Sequence, residues 1–185
     1  NGVPMHWMTD WPMPFLPVIE TAAGARITDI DGHGIDDFCL GDTGSMFGHS
    51  PAPVARAIRR QARQGLTYML PSETAAAAGR LLSRRFGNYR WQIATTATDA
   101  NRFSIRVARA VTGRPKILVF NGCYHGTVDD VMVELDNGVT RTRAGLLGQI
   151  RDATDGAVCC EFNDLAGVEA ALAQGDVAAI LTEPV

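Results

Sequence analysis

The sequence predicts an α/β fold built on a mostly parallel sheet with helices on both faces. Two observations carry that expectation. From about residue 91 onward, strand-like and helix-like segments alternate along the chain. The strand segments are unbroken apolar runs, as in Lys116–Phe120, and such runs belong to strands covered on both faces.

Residues 1–20 hold Trp7, Trp11, Phe15 and four prolines, too many for a helix, so the segment is expected to be extended. Arg26–Asp31 and Ile35–Leu40 read as short strands joined by a hairpin at Asp31-Gly32. The run Asp29, Asp31, His33, Asp37 also resembles a calcium loop. His33 and Leu40 stand where such a loop needs an oxygen ligand and a bidentate glutamate, so the hairpin is preferred. Ser50-Pro51 predicts a helix start, with Ser50 as cap, running to about Gln64 and ending at Gly65. Ser72 is expected to cap a second helix through about Phe86.

Further on, Trp91–Thr95 reads as a strand and Thr98–Val111 as a helix stopped by Gly113. Lys116–Phe120 is a strand followed by a glycine-containing loop. Residues 127–150 have no clear pattern, with helix proposed for Ala144–Ile150. Ala157–Phe162 reads as a strand, Leu165–Ala173 as a helix and Val177–Thr182 as a last strand.

Net charge is −3 over 185 residues, which argues against a nucleic-acid surface. Of 17 basic residues, Lys116 is the single lysine. Four cysteines, Cys39, Cys123, Cys159 and Cys160, lack zinc-site spacing and read as free thiols, which fits a reducing, cytoplasmic setting. No apolar run reaches membrane-spanning length.

Three places can carry chemistry. Thr96-Ala97-Thr98 stands at a predicted helix start, where open N–H groups and the helix dipole favour an anion. Ordinary capping by Thr98 explains the same residues. Asn121-Gly122-Cys123-Tyr124-His125-Gly126 follows a strand's carboxyl end, where open sheets bind ligands. Tyr124 offers a stacking face there and His125 a proton or a hydrogen bond; a plain tight loop is the alternative. Glu183-Pro184 ends the last strand and is either a functional carboxylate or a solvated one. Together the three can face one cleft.

In order, these motifs resemble the class III aminotransferases. Gly24-Ala25-Arg26 with Asp29-Ile30-Asp31-Gly32, then Gly48-His49-Ser50-Pro51, Thr96-Ala97-Thr98-Asp99-Ala100-Asn101, Gly113-Arg114, Tyr124-His125-Gly126 and Glu183-Pro184-Val185 stand in the family's sequence. Ala97 replaces the usual glycine and Asp99 the usual glutamate.

The resemblance implies the fold of PLP-dependent transferases of fold type I (the aspartate aminotransferase superfold), with pyridoxal 5'-phosphate (PLP) as cofactor. Thr96, Ala97 and Thr98 would hold its phosphate, Tyr124 would stack on its ring, His125 would support that loop, and Glu183 would lie in the shell around the ring. Trp7, Met8 and Met46 would line the substrate pocket. If position 97 needs positive φ, alanine there costs about 1 kcal/mol.

The family's cofactor-bonding lysine is not Lys116, which precedes a strand at its amino end. That lysine is expected beyond residue 185, so the chain reads as the N-terminal portion of a homodimeric enzyme with shared active sites. Residues 1–45 would form the N-terminal segment and the start of the small domain, and residues 46–185 the first part of the large domain. The implied activity moves an amino group between an amine or amino acid and a keto acid or aldehyde. An aminomutase of the glutamate-1-semialdehyde type and an inactive scaffold or binding module are the alternatives.

Overall fold

A computed structural model describes residues 4–183, except the His6 side chain. The chain divides into two compact units between Ala78 and Gly79.

The first unit opens with a 3-10 turn, His6–Asp10, and then forms an antiparallel sheet. Its strands are β1 (Ile19–Ala23), β2 (Arg26–Asp29) and β3 (Gly34–Asp36) in that spatial order. β1 lies at the end of the segment expected to be merely extended. Its Ile19–Ala23 residues show no clean alternation and include a bulge, which hides the strand from a pattern reading.

The hairpin between β2 and β3 is present, with shorter strands and a longer turn than expected. Asp29 Oδ1 accepts the N–H groups of Asp31 and His33, at 3.0 and 2.8 Å, and its Oδ2 meets His33 Nδ1 at 3.0 Å. These bonds end β2 at Asp29 rather than Asp31. β3 stops at Asp36 because Asp37 folds the chain back, its Oδ1 accepting the N–H groups of Cys39 and Leu40. Its other oxygen meets His49 Nε2 at 2.6 Å, and that bond is the first cause holding the Asp37 carboxyl below its usual range.

Helix α1 (Ala52–Ala62) starts differently from the prediction. Ser50 has φ +50° and its hydroxyl donates to the Ala22 carbonyl, so it is not the cap. Pro51 takes the cap position instead. Gly65, at φ +99°, lies just beyond the helix end. Helix α2 (Glu73–Phe86) crosses from the first unit to the second, and Ser72 Oγ accepts the Ala75 N–H as expected of a cap.

The second unit holds a three-stranded parallel sheet of β4 (Lys116–Phe120), β7 (Ala157–Cys160) and β8 (Val177–Ile180), in the order β7-β4-β8. Alternation sorts the strand residues onto two faces. Ile117, Val119, Ala157 and Cys159 pack with Ile105 of helix α3 (Ala97–Thr112). Leu118 and Cys160 face the other way, against Val168 and Ala171 of helix α4 (Leu165–Ala173). Helices therefore cover both faces, as the apolar strands predicted. Ile117, Leu118 and Val119 are fully buried, each stabilising the fold by about 1.5–3 kcal/mol.

Two expectations fail here. Trp91–Thr95 is not a strand. Trp91 is drawn back to α2: its indole N–H donates to Ser83 Oγ at 3.0 Å, and its ring lies 5.9 Å from Phe86. Ala144–Ile150 is not helical either, since Gly145 and Gly148 both take positive φ. The region read as patternless contains a hairpin, β5 (Val133–Asp136) with β6 (Val139–Thr142). Its turn is Asn137-Gly138, with both residues at positive φ.

The four cysteines are free, and Cys159 and Cys160 point to opposite faces as expected. Burial pushes the Cys159 thiol up to about 12 and also raises those of Cys123 and Cys160. Brief alkylation of the folded protein at neutral pH is therefore expected to modify exposed Cys39 and to leave the other three until unfolding, as read by peptide mass mapping.

Candidate active site

Everything that places this site lies in the second unit. Helix α3 begins with Thr96 as its cap, not Thr98. Thr96 Oγ1 accepts the Asp99 N–H at 3.1 Å and donates to Asp99 Oδ2 at 3.0 Å. Thr98 is thereby free for a longer-range role, and its Oγ1 accepts the N–H of Thr127 at 3.1 Å. Ala97 is the first helical residue and has no positive φ, so the strain considered for it does not arise. The N–H groups of Ala97 and Thr98 have no acceptor among the described residues. They point an open, positively polarised helix start toward any anion placed there.

The loop after β4 lies directly against this helix start. Gly126 has φ +83°, and a Cβ added there would stand 2.9 Å from the Thr98 Cα and overlap its hydroxyl. Only a glycine lets the two backbones approach so closely. Asn101, one turn into α3, donates from Nδ2 to the His125 carbonyl at 2.9 Å. Thr98 and the Tyr124-bearing loop therefore share one place.

Three residues of that loop have distinct anchors. Asn121 donates to Glu161 Oε1 at 2.9 Å and accepts the Leu135 N–H at 3.0 Å. Cys123 offers its carbonyl to Arg143 at 2.6 Å. The Tyr124 N–H donates to Glu183 Oε1 at 2.9 Å. Tyr124 stays 61% exposed, which leaves its ring available to cover a flat ligand. His125 is buried and its Nε2 has no partner among the described residues. Burial pushes the imidazole below its usual range, against the opposing pull of the Glu183 carboxylate. A cavity of about 130 Å³ lies beside the loop, lined by Asn121, Gly122, Cys123, Thr182 and Glu183 among others.

Of the predicted residues, Thr96, Ala97, Thr98, Tyr124, His125 and Glu183 fall together through these contacts. Pro184 and Val185 lie outside the described residues. Trp7 and Met8 sit in the 3-10 turn of the first unit, with the Trp7 ring 5.5 Å from that of Trp11, and Met46 is exposed. Lys116 is at the amino end of β4, about 13 Å along the strand from Phe120. Its Nζ is paired with Asp176 at 2.9 Å, away from the loop. Sequence reasoning gave no role to Asn101, Asn121 and Arg143. The first two stand in motifs that were visible; nothing local marks Arg143.

A parallel sheet with a hydroxyl-rich helix start and an aromatic loop at the carboxyl end of its central strand matches the fold type I architecture. The chain belongs to the class III aminotransferase family, whose model matches residues 8–185. It is 32% identical over 186 residues to glutamate-1-semialdehyde 2,1-aminomutase from Thermoplasma acidophilum, covering 98% of this chain and 43% of that protein. Among solved structures it is similar to a glutamate-1-semialdehyde-aminomutase from Pseudomonas aeruginosa, with 52% identity, TM-score 0.92, and 99% of this chain against 41% of that one. A variant of that enzyme was solved in complex with PMP. An omega-transaminase from Sphaerobacter thermophilus is 30% identical at TM-score 0.84, over 96% of this chain and 43% of its own. The chain thus spans about two fifths of the length of the curated relatives it matches.

Proposed function

We propose that the protein is a PLP-dependent aminotransferase, moving an amino group between an amine or amino acid and a keto acid or aldehyde. The observation that supports this most is the packing of Gly126 against Thr98, which brings an anion-favouring helix start and an exposed tyrosine face into one small space. The fit to PLP is chemical. The open Ala97 and Thr98 N–H groups, with the Thr96 and Thr98 hydroxyls, suit a phosphate. Tyr124 suits the face of a pyridine ring, and Glu183 lies one peptide away from it.

When bound, PLP supplies an electron sink for breaking a bond next to the substrate nitrogen. The chain's residues do the rest of what is asked of them. Thr96, Ala97 and Thr98 bind the phosphate, Tyr124 orients the ring and shields it from water, and His125 backs the loop as a neutral, buried imidazole. The lysine that would bond the cofactor is proposed to lie outside residues 1–185. Trp7, Met8 and Met46 are proposed to line the substrate pocket. We also propose a homodimer with shared sites in the cytoplasm, and a division at 45/46 between small-domain and large-domain contributions. No helix among the described residues is long and apolar enough to cross a membrane.

A second reading is favoured by the likeness to two glutamate-1-semialdehyde aminomutases. Such an enzyme moves the amino group within one substrate. Full-length protein is expected to show a visible cofactor band that shifts on adding amine donors. If turnover then requires a separate amino acceptor, the aminotransferase reading holds; turnover of one aminoaldehyde without an acceptor establishes the aminomutase. A protein that binds no cofactor is a scaffold, and both enzyme readings fail.

A further inference from the structure

One peptide group in the site loop is held at both ends by charged side chains. The Cys123 carbonyl accepts from Arg143 Nη2 at 2.6 Å. On the opposite edge of the same planar unit, the Tyr124 N–H donates to Glu183 Oε1 at 2.9 Å. A peptide is rigid and planar, so fixing both polar ends fixes the whole plane. Bonds to ionised partners are stronger than neutral ones, and here the two polarise the group in the same sense. The plane sets ψ of Cys123 and φ of Tyr124, and with them the direction in which the Tyr124 side chain leaves the backbone.

Arg143 is unusual in its surroundings. It is half-buried, yet it has no carboxylate within ion-pair distance among the described residues. Withdrawing a guanidinium from water without a counter-ion is unfavourable, so the placement calls for a bond worth keeping. Its backbone is fixed by the hairpin, through Arg143 N–H to the Met132 carbonyl at 2.9 Å. The same hairpin takes a second hold on the loop, from the Leu135 N–H to Asn121 Oδ1. Its charge is also felt at the Cys123 thiol and the His125 ring.

We infer that Arg143 and Glu183 clamp the Cys123–Tyr124 peptide, and that Arg143 is a positioning residue that aims the Tyr124 ring. What that ring covers rests on the cofactor reading above; the clamp itself needs no ligand.

The test uses full-length protein without cofactor, following amide exchange by mass spectrometry in peptides spanning residues 121–127. Arg143→Met is expected to speed exchange at Tyr124 about tenfold, with β4 and α3 peptides unchanged. Arg143→Lys keeps the charge but loses the fork, and is expected to give a rise of about threefold. It serves alone if the methionine variant does not fold. An unchanged rate in the folded variants, or an equal rise throughout the second unit, overturns the clamp. With PLP added, the visible circular dichroism of the bound band is expected to fall at least about twofold in Arg143→Met, while its absorbance persists. If wild type shows no such band, the cofactor reading fails and the exchange rates still decide the clamp.

Discussion

Replacing Gly126 with alanine is expected to abolish most cofactor binding in the full-length protein and to lower its stability. Two penalties combine. Gly126 sits at φ +83°, which costs a residue with a Cβ about 1–2 kcal/mol. The new methyl also meets the Thr98 backbone at 2.9 Å, and forcing extra volume into such a contact costs about 1–3 kcal/mol more. The obstacle is helix backbone and cannot swing aside, so loop and helix must separate. Spectral titration should show cofactor affinity reduced by about 100-fold, with the thermal midpoint down by several degrees. Gly122→Ala is the control. That residue also has positive φ, at +77°, but nothing stands within 4 Å of an added Cβ. It should lose stability while keeping most cofactor affinity.

Arg109→Met is expected to be the most damaging substitution outside the site. The guanidinium ties three segments at once. It donates to the Pro115 carbonyl at 2.6 Å, to the Gly156 carbonyl at 3.1 Å and to Asp130 Oδ1 at 2.9 Å. Pro115 leads into β4 and Gly156 into β7, so this one side chain holds the amino ends of two neighbouring strands against α3. Charge-assisted bonds to partly buried groups are each worth about 1.5–3 kcal/mol, and losing them together should cost about 2–4 kcal/mol after solvent screening. Thermal or urea unfolding of the full-length protein reads this directly. Arg106→Met, on the exposed side of the same helix, should change stability by less than about 0.5 kcal/mol.

What was legible in the sequence follows from how local each signal is. Lys116–Phe120 and Leu165–Ala173 match their predicted bounds because an unbroken apolar run and a capped helix speak through adjacent residues. The β5–β6 hairpin was missed although Asn137-Gly138 marks its turn. Its strands include Glu134, Asp136, Thr140 and Arg141, which blur the apolar alternation. Trp91–Thr95 looked like a strand because aromatic and branched residues favour one, but Trp91 found its partners on the preceding helix.

At the site, the motif residues were legible through the family resemblance, and the division of labour between them was not. Thr96 and Thr98 are both plausible caps by type; only the approach of Thr127 shows that Thr98 has another partner. Asn101, Asn121 and Arg143 act on residues 24, 14 and 20 positions away, beyond the reach of any local pattern.

The start of α3 and the Tyr124 loop are proposed to grip one cofactor between them. The most direct measurement is a crystal structure of the full-length protein grown with PLP. The phosphate is expected within hydrogen-bonding distance of the Ala97 and Thr98 N–H groups, with the pyridine ring flat against Tyr124. A cofactor found with its ring remote from Tyr124, or its phosphate held by some other helix, would contradict the proposal.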